Sequence, residues 1–207
     1  IGAIAVIISS IIGIVIGCIA GYFGGKVDIL LMRVAEIFNA IPFLPFAMIL
    51  SAAMGRMTLS ENARIFIIMV ILGVLTWSGL ARLVRGQVLV VRESEYVTAA
   101  KAMGVKENVI AFKHILPNTV GVIIVSATLA ISGAILLETA LSFLGLGVQP
   151  PDTSLGKLIN ENRAAMTTRP WLFFWPGIFI VAIALTVNFI GDGLRDAFDP
   201  RQTRNKR

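Results

Sequence analysis

Long uncharged apolar runs alternate with short polar intervals along the whole chain. A bilayer core takes roughly 20 apolar residues as helix. Five runs come close to or reach that length: Ile1 to Phe23, about Ile37 to Gly55, Ile65 to Ala81, Asn118 to Leu137, and Trp171 to Gly191. The third, with 17 uncharged residues, is just long enough to cross. The pattern predicts an all-α integral membrane protein, a polytopic helical bundle occupying residues 1–200, with a basic tail over 201–207.

Each run carries its own marks. Gly13, Gly17, Gly21 and Gly25 recur every fourth residue in and just beyond the first, a strip along which another helix can approach closely. Lys26, Asp28, Arg33 and Glu36 give the second run an interfacial approach, and Pro42 and Pro45 interrupt it. Proline in a membrane helix frees backbone carbonyls, so a kinked helix lining a pathway and a bent packing helix are both open readings. Glu138 follows the fourth run. A carboxylate inside the membrane is functional by default, but about 20 residues of helix already bring Glu138 to the far face. The segment 143–170 is rich in glycine and proline at its start, and Ser154 is placed to cap a short helix through Met166. Trp171 and Trp175 open the last run at belt position.

The longest polar interval, Ser94 to Pro117, is too ordered for a tether. Ser94 is a good N-cap and Gly104 a good C′ residue, which predicts a helix over Glu95 to Met103 with Tyr96, Ala99, Ala100 and Met103 on one face. A second helical run from Lys106 to Leu116 puts Val109, Phe112 and Leu116 on a common face and stops at Pro117. The two make a hairpin lying on the membrane surface, where a partner would dock.

Composition agrees with the pattern: 57% of the 207 residues are apolar and 14% charged, well outside the soluble globular range. The net charge of +6 is spread over segment ends rather than gathered in a stripe, so topology explains it and nucleic acid is not indicated. With five spans, one side of the membrane holds thirteen of the eighteen Lys and Arg residues and the other holds five. Basic residues favour the cytoplasm, which places the hairpin and the C-terminus inside and the 143–170 segment outside. The start at Ile1 reads as a fragment beginning within or at the start of a span, and Ile1 at the outer face requires an odd number of upstream spans if the true N-terminus is inside. A signal peptide is disfavoured by the absent basic n-region and the length of the run.

Candidate chemistry is sparse. There is no P-loop pattern, His114 is the only histidine, and Cys18 the only cysteine, so neither ATP binding by that route nor a His/Cys metal site is indicated. Catalytic residues and metal ligands are both expected to be none. His114 reads as capping or packing the hairpin. A secondary transporter would need ionisable groups at midplane, and the chain offers none beyond Glu138. A membrane scaffold would account for the spans but not for the order of the hairpin.

Thr98 to Pro117, TAAKAMGVKENVIAFKHILP, resembles the cytoplasmic EAA loop of ABC importer permeases: Glu-Ala-Ala, three residues, Gly, nine residues, Ile, one residue, Leu-Pro. Ala99, Ala100, Gly104, Leu116 and Pro117 fall in register. Thr98 stands in place of Glu and His114 in place of Ile, and Glu95 lies one turn before Thr98. Gly21 to Asp28, Ala81 to Leu89, Ile135 to Pro151 and Gly191 to Arg201 extend the likeness to the second permease subunit of dipeptide, oligopeptide and nickel uptake systems. The resemblance implies a type I importer fold of six spans, five of them in this fragment, in a prokaryotic cell membrane. It implies transport of peptides, with nickel or another small solute as the alternative. The implied partners are a homologous permease subunit, two cytoplasmic ATPase subunits that bind ATP and Mg, and an extracytoplasmic binding protein. The hairpin would seat in an ATPase groove, with Ala99 and Ala100 allowing close approach. The external segment Gly145 to Pro170 would face the binding protein, within crosslinking reach of Lys157 or Asn160.

Overall fold

The computed structural model describes residues 2–55 and 60–198. Ile1, Arg56, Asp199 and the 201–207 tail lie outside them. All regular structure among the described residues is helical: α1 (Gly2–Phe23), α2 (Gly25–Ala40), α3 (Phe43–Gly55), α4 (Glu61–Arg92), α5 (Glu95–Ala102), α6 (Glu107–Val109), a π-helical stretch (Ile110–Ile115), α7 (Leu116–Phe143), α8 (Leu155–Glu161), a 3₁₀ turn (Arg163–Met166) and α9 (Trp171–Phe198). Among them α1, α4, α9 and the helix Lys113–Phe143 are each long and apolar enough to cross a membrane.

The remaining crossing is broken. α2 and α3 meet at 73°, with Ile41 extended at φ −70°, ψ 117°. The residue before a proline is pushed out of the helical region, so Pro42 ends α2 rather than bending it. Pro45, by contrast, lies in the first turn of α3, where a missing N–H costs nothing. The span predicted at 37–55 is thus corrected to a jointed pair over 25–55, with a single break at Ile41–Pro42. Asp28 of α2 pairs with Arg85 near the hairpin, while Ser51 and Met54 of α3 line a cavity with Arg64 and the 145–152 turn. The pair's two ends thus lie at opposite ends of the bundle, and together its helices are long and apolar enough for one broken crossing.

The centre of the bundle is the α1–α4 pair, the most extensive helix contact in the chain. Gly13, Gly17 and Gly21 are buried against it. A Cβ on Gly13 would lie 3.0 Å from the Trp77 carbonyl oxygen, and one on Gly21 would lie 2.8 Å from Val88 Cβ. Gly73 answers from α4, its absent Cβ making room for Ile8. The packing ends at Gly21: Gly25, the first residue of α2 at φ +54°, is exposed, and a Cβ there would meet nothing within 4 Å. Apolar side chains left exposed by this core, including Ile7, Ile11 and Val15 on α1 and Trp175, Phe179 and Phe189 on α9, suit lipid or a neighbouring helix rather than water.

α4 and α9 outrun their sequence-based ends. The span expected to stop at Ala81 continues to Arg92, and the one expected to stop at Gly191 continues to Phe198. The charges that suggested an exit are accommodated on the helices. Arg85 makes a bidentate pair with Asp28, and Arg92 Nη1 donates to the carbonyl oxygens of Gly21 (3.1 Å) and Tyr22 (3.0 Å). Those are among the last carbonyls of α1, which have no partner within their own helix.

Candidate functional site

α5 sits where its caps require. Ser94 is the N-cap residue at φ −70°, ψ 151°, but its hydroxyl donates to the Val91 carbonyl oxygen at 2.6 Å instead of capping α5. Thr98 Oγ1 in turn donates to the Ser94 carbonyl oxygen at 3.1 Å. The joint between α4 and α5 is therefore stitched by hydroxyls on both sides. At the far end Gly104 takes φ +75°, a left-handed conformation that glycine adopts without a Cβ penalty. Val105 N–H then reaches back to the Ala100 carbonyl oxygen at 3.1 Å.

The two alanines of the loop do different things. Val97 and Ala100 are buried in a core with Val84, Val88, Ile110, Ile115 and Ile123. Ala100, 3% exposed, allows close approach to the chain's own spans and is not available to a partner. Tyr96 (46% exposed), Ala99 and Met103 (75% exposed) form the outward face. Glu95 and Thr98 are exposed beside it. The single face expected for Tyr96, Ala99, Ala100 and Met103 is thus corrected: Ala100 has turned inward and the other three form an open stripe.

The second arm differs more. It does not stop at Pro117 but runs through it into α7, with proline in the first turn. The π-helical stretch makes this continuation feasible. Leu116 N–H bonds to the Ala111 carbonyl oxygen, five residues back, and a wider π turn relieves the crowding a proline imposes on the preceding turn. The same widening resets the buried face to Ile110, Ile115, Thr119 and Ile123. Of the common face expected for Val109, Phe112 and Leu116, Val109 is exposed and Leu116 half-buried, and the Phe112 side chain is outside the described residues. His114 is half-buried, and its carbonyl oxygen accepts from Asn118 Nδ2 at 2.6 Å. Tyr22 OH donates to the Glu107 carbonyl oxygen at 3.2 Å, tying this arm to the end of α1.

At the opposite end, Ser154 accepts from Lys157 N–H at 3.3 Å and caps α8, so the expected short helix exists, divided into α8 and a 3₁₀ turn. Lys157 is 8% exposed, with Nζ donating to the Asp152 carbonyl oxygen. It is therefore not placed for crosslinking, whereas Arg163 and Met166 are exposed. Glu138 lies at this same end, accepting from Ser142 Oγ at 2.6 Å. It lines a cavity of about 390 Å³ with Asp152 and Ser154. Beneath the α2–α3 break lies another, of about 370 Å³, bordered by Phe38, Thr76 and Gly79. Asn39 Oδ1 accepts from Ser78 Oγ at 2.8 Å across its wall.

A multi-pass helical membrane protein with an anchored, outward-striped hairpin at one end is the class the fold and site define. The chain belongs to the binding-protein-dependent transport system inner membrane component family, which it matches over residues 13–204. It is 44% identical to the oligopeptide transport system permease protein OppC of Haemophilus influenzae, over 97% of this chain and 62% of that protein. Against the dipeptide transport system permease protein DppC of Bacillus subtilis the identity is 40%, over 99% of this chain and 62% of the relative. The OppC protein of Mycobacterium tuberculosis is 41% identical over 97% and 67%. The chain thus spans about three fifths of the length of the first two.

Proposed function

We propose that this chain is a membrane-spanning permease subunit of an ATP-driven importer of dipeptides or oligopeptides, working with a homologous permease, two cytoplasmic ATPase subunits and an external binding protein. The observation that carries the reading is the Tyr96–Ala99–Met103 stripe, apolar and open on a helix whose other face is locked into the bundle. Named relatives are oligopeptide and dipeptide permeases, which favours peptides over nickel.

The hairpin transmits force because it cannot slide. Arg85–Asp28, Arg92 on the end of α1, and Tyr22 on Glu107 fasten the α1–α4 pair, α2 and the hairpin base together. ATP-driven closure of the ATPase pair would push α5 and tilt α1 with α4 as one body. A bistable bundle of this kind needs no catalytic group in the permease. The jointed α2–α3 span and its cavity are the part of the chain suited to line the path. The exposed 163–169 turn is suited to face the binding protein.

Gly104→Val is expected to cut ATP-dependent uptake and ATPase co-purification sharply while the chain still inserts. A Cβ at Gly104 would meet nothing within 4 Å, so the damage comes from φ alone, about 1–2 kcal/mol for an L-residue held left-handed. Asn, which tolerates that region better, should retain more uptake than Val. Full uptake and co-purification in Gly104→Val would sink the docking assignment.

A further inference from the structure

The outer end of the bundle holds charged groups that the hairpin-driven mechanism leaves unused. Arg64, in the first turn of α4, has its Nε buried with no hydrogen-bond partner among the described residues. It lines a cavity of about 290 Å³ together with Ser51, Gln149 and Asp152. A second cavity adjoins it, sharing Ile65, Val148 and Asp152 and adding Glu138. Among the described residues no ion pair joins Arg64 to Asp152 or Glu138; Arg64 borders the first cavity, Glu138 the second, and Asp152 both. The hydrogen bond that Lys157 makes to Asp152 goes to its backbone oxygen and leaves the carboxylate uncommitted.

A buried guanidinium N–H without an acceptor is costly, and a planar guanidinium is matched best by a carboxylate. The first cavity has the volume of about ten liquid waters at roughly 30 Å³ each, which fits the end of a small molecule but not the surface of a protein. We infer that Arg64 and Asp152, with Glu138 behind them, form a receiving site at the outer mouth of the permease for the charged ends of a peptide. Arg64 takes the terminal carboxylate, and Asp152 and Glu138 take the terminal ammonium. Such a site reads what all free peptides share and ignores their side chains. The inference rests on the peptide-importer reading.

The test uses the whole transporter in proteoliposomes with its binding protein, each variant complex first shown to retain its ATPase subunits. Uptake of trialanine is compared with uptake of its C-terminal amide and of its N-acetyl form. Wild-type complex should prefer the free peptide over both. Arg64→Gln should lower the acid-over-amide preference about tenfold, the low end for losing a hydrogen bond to a charged group, whereas Arg64→Lys keeps part of it. Asp152→Asn, on an external turn with little bearing on folding, should lower the preference for the free amine and leave that for the acid intact. Equal uptake of acid and amide by wild type, or an equal fall of both in Arg64→Gln, would overturn the receiving site while leaving the importer reading standing. So would weaker binding-protein association with unchanged preferences, which would make the cluster a protein contact. If wild-type complex imports no peptide, both readings fall together.

Discussion

Replacing Met103 with aspartate is expected to release the ATPase subunits from the assembled transporter while the permease remains inserted and folded. Met103 is 75% exposed at the end of the Tyr96–Ala99–Met103 stripe, so in the isolated chain the new carboxylate points into water and costs little. In a docked complex it would be desolvated in an apolar seam without a partner, a penalty of several kcal/mol, enough to lower association by more than about a hundredfold at 1.4 kcal/mol per decade. Co-purification of the ATPase subunits and ATP-dependent uptake should both be lost, with membrane abundance held near wild type. A buried neighbour gives the contrast. Ala100→Asp places a charge inside the core formed by Val84, Val88 and Ile110, and should lower abundance first. If Met103→Asp keeps its ATPase subunits, the stripe is not the docking face.

This contrast between adjacent alanines also marks how far the hairpin was legible. Its ends were readable because turn chemistry is local: Ser94 stands where the helix starts, although its hydroxyl bonds back to Val91 instead of capping, and Gly104 adopts the positive φ its identity allows. Which of Ala99 and Ala100 faces inward depends on α4 and the π-helical stretch, neither of which lies within α5. The second arm was misread for a related reason. A period of 3.6 assumes a uniform helix, and one π turn shifts every later position, which puts Ile115 and Thr119 rather than Leu116 inside and lets the helix run on through Pro117. The span ends were set too early because Arg82 and Arg85 were counted as solvent-seeking charges. Arg85 instead has Asp28, three residues into α2, and that pairing is a tertiary fact. The cavity lined by Ser51, Arg64 and Asp152 was invisible altogether, since Asp152 comes from a turn far along the chain from the other two.

The glycine strip is legible at Gly13, Gly17 and Gly21, because a small residue every fourth position can be read without knowing the partner, and it supports the most damaging single substitution we expect. Gly17→Ala, a change of one methyl group, should destabilise the bundle by at least 1–3 kcal/mol, the range for overpacking a close-packed core. The new Cβ would sit 2.5 Å from the Ala81 carbonyl oxygen and 2.8 Å from Val84 Cβ. Neither is the flexible end of a side chain, so relief requires α1 and α4 to move apart. That separation would spread along the pair, loosening Gly13 against Trp77 and Gly21 against Val88, and would strain the Arg92 contacts that hold the end of α1 to the base of the hairpin. The loss should therefore appear twice: as lower membrane abundance and a lower melting temperature in detergent, and as weaker coupling in whatever protein survives. Gly133→Ala is the matched control, since a Cβ there meets nothing within 4 Å, and it should behave as wild type. Equal stability of the Gly17 and Gly133 variants would mean that the strip is not a packing seam, and that α1 and α4 are free to move separately under the force delivered by the hairpin.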